Sequence, residues 1–201
     1  MRQTPERRQQ VLVAANELIA AGGLAGFSML ALAQHQRMSK ETLYAWFGSK
    51  DQFLQELIRG NAGEMVGVLR RGASAPLDDA ALRKTLEVFC VALLKLLTSD
   101  RSVAINRAVV HRAEGGSADS TLRAQGRDVV VAALVACLAQ AQATGALSGA
   151  DANMADVLIA LALRDWQIER LVGRMAEPTP RSVNARSREA VELFMRLYGN
   201  P

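Results

Sequence analysis

The sequence is poor in aromatic residues: Phe, Trp and Tyr make up only 4% of its 201 residues, although 50% of the chain is hydrophobic. Ala and Leu are its commonest hydrophobic residues and both favour helices, whereas sheets draw on aromatic and β-branched side chains. The hydrophobic content excludes a disordered chain, and the composition argues against a sheet-based fold. We therefore predict an all-α protein.

Cysteine and histidine are scarce as well. Cys90 and Cys137 lie far apart in apolar stretches without a CxxC motif, which excludes a disulfide framework. His35 and His111 have no carboxylate or cysteine at ligand spacing, which argues against a zinc or catalytic centre. We expect two buried, reduced thiols, no metal and no cofactor.

Long apolar runs are missing, because Lys95 and Arg101 interrupt the longest hydrophobic region. No uninterrupted run reaches the ~18 residues that a membrane span requires. The first residues are polar and lead into no apolar signal core. These features predict a cytoplasmic protein with no membrane partner. The net charge of +4 permits a polyanionic partner without demanding one.

Capping residues and glycines divide the first sixty residues into four predicted helices. The first starts at Thr4 and ends at Gly22-Gly23, the second starts at Ser28, the third covers 40–47 behind Ser39, and the fourth follows a capping box at 49–52. A weakly helical, glycine-rich connector that ends in a loop precedes the remaining helices, so we place the domains at 1–60 and 61–201. In the second domain apolar spacing predicts helices around 82–97, 103–113, 121–143, 153–174 and 182–198.

Residues 29–43 have the spacing of a helix-turn-helix motif. Ala33 is small where the two helices must cross, and apolar wedges come from both sides of the turn, at Leu32, Met38 and Leu43. Arg37 stands where such a turn usually has glycine, and a left-handed backbone there costs about 1 kcal/mol. Either the turn takes a different path, or Arg37 gains a contact such as a DNA phosphate.

Residues 5–58 resemble the DNA-binding domain of TetR-family transcriptional regulators. The resemblance rests on Ser39-Lys40-Glu41-Thr42-Leu43-Tyr44-Ala45-Trp46-Phe47, followed by Gly48-Ser49-Lys50-Asp51-Gln52-Phe53-Leu54. The segment from Leu96 to Val110 resembles the AefR-like branch of that family. The resemblance implies a dimeric, ligand-responsive regulator, expected to be a repressor released from a pseudo-palindromic operator by a small hydrophobic effector.

In such a protein the third helix enters the major groove, where Lys40 and Thr42 offer hydrogen bonds near base edges. By resemblance Tyr44 anchors a phosphate, and Lys50 and Ser28 can do so at helix starts. Trp46 either joins this surface or packs against the first helix, and Glu41 either reads a cytosine or faces solvent. Arg2, Arg7 and Arg8 are further candidate cations. The predicted DNA-binding set is Ser28, Ser39, Lys40, Thr42, Tyr44, Trp46 and Lys50.

The second domain carries two further predicted sites. A mostly apolar effector pocket with a few polar groups is expected among Phe89, Leu93, Asn106, His111 and Trp166. By resemblance the last two helices form a four-helix dimer interface. Its predicted residues are Leu158, Leu161, Val191, Phe194, Met195 and Tyr198.

Two other classes of protein fit the sequence less well. A helical enzyme would need a catalytic motif, yet the chain has no GxSxG, no P-loop and no zinc-helix motif. A helical adaptor would account for amphipathic helices but not for the cations and hydroxyls clustered between Ser39 and Lys50. We therefore predict no enzymatic activity and a double-stranded DNA partner.

Overall fold

The computed structural model describes residues 4–73, 76–113, 126–149 and 151–200, without the side chains of 24, 25 and 108–113. All regular structure in these ranges is helical, as predicted; Leu147 and Gly199 form an isolated bridge. The helices are α1 Pro5–Gly26, α2 Met29–His35, α3 Lys40–Phe47, α4 Lys50–Gly72, α5 Asp79–Thr98, α6 Asp100–Ala113, α7 Arg127–Ala143, α8 Met154–Leu163, α9 Trp166–Leu171 and α10 Pro180–Tyr198.

Most predicted helix ends are confirmed. Thr4 accepts a hydrogen bond from the amide of Arg7 (3.2 Å) at the start of α1. Gly23, at φ 69° and ψ 171°, interrupts α1 where the glycine pair predicted its end. Ser49 and Gln52 exchange the two hydrogen bonds of the predicted capping box. The predicted helix from 121 onward is described from Arg127; residues 121–125 lie outside the described residues.

The predicted single helix over 153–174 is wrong. The chain leaves helical geometry at Arg164, at φ 43° and ψ −121°, so that α8 and α9 are separate helices. No Gly or Pro stands between 153 and 172 to signal this break. The guanidinium of buried Arg170 donates to the carbonyls of Thr98 (2.7 Å) and Met175 (2.9 Å), contacts that a continuous helical pattern does not reveal.

The described residues fall into two compact units. One comprises those within Met1–Gly60 and Ser99–Gln125, and the other those within Asn61–Thr98 and Gly126–Pro201. The predicted limits, 1–60 and 61–201, stay a prediction about folding domains. The first unit differs from them by including α6, because Ile105 is buried in the same apolar cluster as the N-terminal helices.

Each unit has its own apolar core. In the first, α1 packs against α6 and α2 packs against α3, around buried residues that include Ile19, Leu32 and Phe53. In the second, α5 packs against α10, and α8 packs against α7 and α10. The helix predicted around 82–97 is confirmed as α5, which buries Leu82, Leu86, Phe89, Cys90 and Leu93 and half-buries Leu97.

Candidate nucleic-acid interface

The helix-turn-helix motif has the packing that its sequence predicts. Leu32 and Leu43 are fully buried, and Ala33 is buried where α2 meets α3. Met38, just after the turn, packs half-buried against the same cluster. These four side chains fix α3 on α2 and leave the opposite face of α3 exposed.

The exposed face of α3 carries a cation and a phenol one turn apart. Lys40 and Tyr44 are both exposed, and the ammonium of Lys40 lies 5.6 Å from the centre of the Tyr44 ring. At that distance the cation is attracted to the ring face, which favours one arrangement of two long side chains. The pair therefore presents a positive charge and a hydroxyl on the side of α3 that faces away from the core.

Ser39 serves the start of α3 and constrains Thr42. Its hydroxyl accepts a hydrogen bond from the amide of Thr42 (3.1 Å) and also lies 2.9 Å from the Thr42 hydroxyl. Thr42 is half-buried, so part of its hydrogen-bonding capacity is used inside the protein. Thr42 remains a proposed base contact, although it is less available than Lys40.

Glu41 is the acidic residue of α3. Its carboxylate is exposed, and hydrogen bonds from its own backbone amide and from Ser39 lower its pKa. It is therefore ionised at neutral pH and would repel a phosphate at close range.

Lys50 joins the starts of two helices. It is the first residue of α4, and its ammonium donates to the carbonyl of Phe27 at 2.8 Å. Phe27 precedes Ser28, whose hydroxyl accepts from the amide of Ala31 at 3.0 Å to cap α2. An ammonium has three donors, so two remain for a phosphate near the amides that begin α2 and α4.

Three of the candidate residues are engaged inside the first unit. Arg8 donates to the carbonyl of Trp46 (2.7 Å), pairs with Glu56 and lies 4.3 Å from the centre of the Phe47 ring. Arg7 donates to the carbonyl of Gln36 at 2.6 Å. Trp46 packs half-buried against the N-terminal cluster. Arg7 and Arg8, two of the further candidate cations, therefore both have partners within the fold. Arg2 lies outside the described residues.

The predicted effector-pocket residues belong to both units. Phe89 and Leu93 are buried in the core of the second unit, and half-buried Trp166 has the guanidinium of Arg186 5.1 Å from its ring centre. Asn106 belongs to the first unit and donates to the Ser102 hydroxyl at 3.2 Å. The His111 side chain lies outside the described residues. A pocket shared by all five stays a prediction.

The predicted dimer residues lie largely inside the chain's own core. Leu158, Val191, Phe194 and Met195 are each 4% exposed or less, and a buried residue cannot meet a partner unless the core opens. Leu161 and Tyr198 are half-buried; the Tyr198 hydroxyl donates to Asp151 at 2.7 Å. The structure corrects the predicted face at the four buried positions. The exposed large hydrophobic residue of α10 is Leu197, at 63%.

Among the described residues no group of three or more His, Cys, Asp and Glu could hold a metal ion, and none of the described helices has the length and apolarity to cross a membrane. Cys90 and Cys137 are both buried and unpaired, as predicted. His35 is exposed.

Two features of this surface escape sequence reasoning. The bond from Lys50 to Phe27 involves a backbone carbonyl, which every residue offers, so no residue type signals it. The Arg8 to Glu56 pair joins α1 to α4 across 48 positions, and neither residue stands out among the surface charges of its helix.

Comparisons with known proteins agree with this geometry. Residues 11–57 match the model of bacterial regulatory proteins of the tetR family, and residues 84–200, more than half of the chain, match the C-terminal domain of AefR-like transcriptional repressors. No curated protein matches the chain.

Solved structures with the same fold extend over almost the whole chain. A TetR regulator from Agrobacterium tumefaciens is 28% identical, with a TM-score of 0.76 over 98% of this chain and 96% of its own. A TetR-family regulator from Mesorhizobium loti is 17% identical, with a TM-score of 0.77 over 98% and 100%. The fatty acid degradation regulator FadR from Bacillus halodurans is 14% identical, with a TM-score of 0.71 over 93% and 97%.

Proposed function

The chain belongs to the TetR family of DNA-binding transcriptional regulators, and from this premise we propose that it is a homodimeric repressor that leaves its operator when a small hydrophobic effector binds. The exposed face of α3, with Lys40 and Tyr44 opposite the buried Leu43, is the observation that carries the proposal. Its side chains suit a major groove, and no enzymatic activity enters the proposal.

The proposed interface contacts both bases and phosphates. Lys40 and Thr42 contact base edges, Tyr44 and Lys50 contact phosphates, and the hydroxyls of Ser28 and Ser39 lie at the starts of α2 and α3. Phosphate contacts fix the register of the protein on the duplex, whereas base contacts set the sequence that it prefers. Two subunits related by a two-fold axis then select a pseudo-palindromic site.

Dimerisation is proposed through the outer faces of α8 and α10. These helices pack on each other, and Arg164 after α8 is bonded to Glu189 of α10 at 2.7 Å. The half-buried Leu161 and the exposed Leu197 supply apolar area on the same two helices. This proposal retains the helices predicted from the sequence and replaces four of the residues.

The proposed effector is bound in the second unit, near Phe89, Leu93 and Trp166. A ligand that favours one subunit arrangement over another by about 1–3 kcal/mol is enough to shift operator binding. Fatty acids and planar aromatic compounds are the first probes, because the residues proposed to line the pocket are mostly apolar.

Binding selection from a random duplex library tests the proposal. The purified protein should enrich a pseudo-palindromic sequence, and fluorescence anisotropy should show tighter binding to that duplex than to a scrambled one, weakening steeply between 50 and 200 mM salt. Enrichment of no sequence would contradict a sequence-specific regulator. Binding that is insensitive to salt would favour a protein-binding adaptor.

A further inference from the structure

The turn between α2 and α3 is a Schellman motif, and its left-handed residue is an arginine. Gln36 is the C-cap of α2. The amide of Arg37 donates to the carbonyl of Gln34 (3.1 Å), and the amide of Met38 donates to the carbonyl of Ala33 (2.9 Å). This pair of bonds requires a left-handed residue after the cap. Arg37 accordingly has φ 50°.

The same motif ends two other helices of the chain. After α7 the amide of Gly145 donates to Gln142 and the next amide to Ala141; after α9 the amide of Gly173 donates to Arg170 and the next amide to Glu169. Both left-handed positions hold glycine, at φ 79° and 78°. Glycine adopts this backbone without steric cost. The helix-turn-helix turn is thus the one of these three motifs where a large side chain occupies the strained position.

The Arg37 side chain has no contact among the described residues that would offset the strain of its backbone. Its side chain is exposed, and no hydrogen bond, ion pair or ring contact joins it to the described residues. A cation near a helix C-terminus is favourable, but α2 has only seven residues and solvent screens an exposed charge. A compensating contact inside the described protein is therefore absent.

The position of Arg37 indicates what it contacts instead. It lies two residues before Ser39, which begins the helix proposed to enter the major groove, and His35 and Lys40 on either side are exposed. Guanidinium groups bind phosphates through two parallel hydrogen bonds. We propose that Arg37 is a DNA-phosphate contact, and that the strained backbone of the turn is retained for it. This inference rests on the proposed function of the same surface.

Two substitutions separate the strain from the charge. Arg37→Gly removes both, so its Tm should rise by about 2–4 °C. Arg37→Gln removes the charge and keeps a side chain at positive φ, so its Tm should stay near that of the wild type. Gly145→Arg is the matched control: a Cβ there meets no atom within 4 Å, so its Tm should fall by a similar amount while DNA binding stays unchanged.

The binding measurement uses a labelled duplex of arbitrary sequence together with the duplex enriched by selection. For both Arg37 variants the slope of log affinity against log salt should become less steep by about 1 per subunit. The loss of DNA affinity relative to the wild type should therefore shrink about 3-fold per subunit between 50 and 200 mM salt. The loss should be similar on the two duplexes, since a phosphate carries no sequence information.

Unchanged affinity and salt slope in both variants would overturn the inference, while wild-type binding to the enriched duplex would leave the proposed function intact. A loss confined to the enriched duplex would also overturn it, because that result indicates a base contact. If the wild type prefers no duplex over another, the proposed function fails. The arbitrary duplex still decides whether Arg37 contributes to phosphate binding.

Discussion

At the scale of single residues, the proposed DNA-binding surface depends on which cations remain available. The sequence contains 24 basic residues, and their positions alone do not separate those that brace the fold from those that face a partner. Arg7 and Arg8 are engaged with the turn and with α4, whereas Lys40 and Arg37 are exposed. Lys50 stands between these groups, because one of its three donors is used by Phe27.

Lys50→Met should weaken DNA binding and make its salt slope less steep by about 1 per subunit, since it deletes the ammonium proposed to meet a phosphate. Lys84→Met is the matched control, because Lys84 is an exposed lysine on α5 outside the proposed surface. Anisotropy titrations from 50 to 200 mM salt measure both variants. Equal slopes for Lys50→Met and the wild type would remove Lys50 from the interface.

The cysteines make a second prediction at this scale. Burial raises the pKa of Cys90 to about 12 and also raises the pKa of Cys137, so both thiols stay protonated and shielded at pH 8. A thiol-specific disulfide reagent should react with neither in the native protein and with both in guanidinium chloride.

The raised pKa of Cys90 also makes the free energy of unfolding depend on pH. Because the folded pKa lies above the ordinary value near 9, the contribution of the protonated thiol to stability is complete below pH 9. It declines as the pH rises toward 12. Denaturant titrations from pH 8 to 11 should show the decline, and Cys90→Ala should lessen it. An equally steep decline in the variant would assign it to other groups.

At the scale of elements, the sequence predicts the helices whose ends carry capping chemistry. Ser28, Ser39 and Thr179 each cap a helix through a side-chain oxygen, and such residues signal a helix start locally. The break between α8 and α9 has no local signal, because it depends on packing that places Arg170 against the end of α5. Capping residues and other local signals therefore predict the helices of the first unit more completely than those of the second unit.

The cap of α3 allows stability and DNA binding to be separated. Ser39→Asp retains an acceptor for the amide of Thr42, so its Tm should stay within about 2 °C of the wild type. Its negative charge at the start of α3 should lower DNA affinity at least about tenfold at low salt. Ser39→Ala should instead lose about 1 kcal/mol of stability with a smaller effect on affinity. Calorimetry and anisotropy measure the two quantities.

Wild-type affinity in Ser39→Asp would show that the start of α3 is remote from the DNA. Loss of stability in the same variant would show that aspartate does not replace the serine cap, and the Ser39→Ala variant would then provide the only measure of that cap.

At the scale of the whole molecule, sequence periodicity does not distinguish an interface from a core. An apolar stripe on α10 predicts burial of Val191, Phe194 and Met195 and does not say against which surface they pack. These side chains lie in the core of the second unit, together with Leu158 of α8. A charge at Phe194 would therefore unfold the second unit, and a change in its oligomeric state would say nothing about the interface.

Leu197→Asp is the sharper test of the proposed dimer, because this leucine is 63% exposed and the substitution leaves the core intact. A two-fold interface buries the residue twice, and each buried leucine contributes about 1.5–3 kcal/mol. Sedimentation at micromolar concentration should show monomers with an unchanged thermal transition of the second unit. Affinity for a full operator should fall, since a monomer engages one half-site.

Val88→Asp is the matched control, with a valine 49% exposed on α5 outside the proposed interface, and it should remain dimeric. A dimeric Leu197→Asp beside a monomeric Val88→Asp would move the interface from α8 and α10 to the outer face of α5. Two dimeric variants would exclude both positions. Paired half-sites have a fixed spacing, so a dimer must hold its two recognition helices at a fixed distance. If both variants stay dimeric, other surfaces must join the subunits to hold that distance.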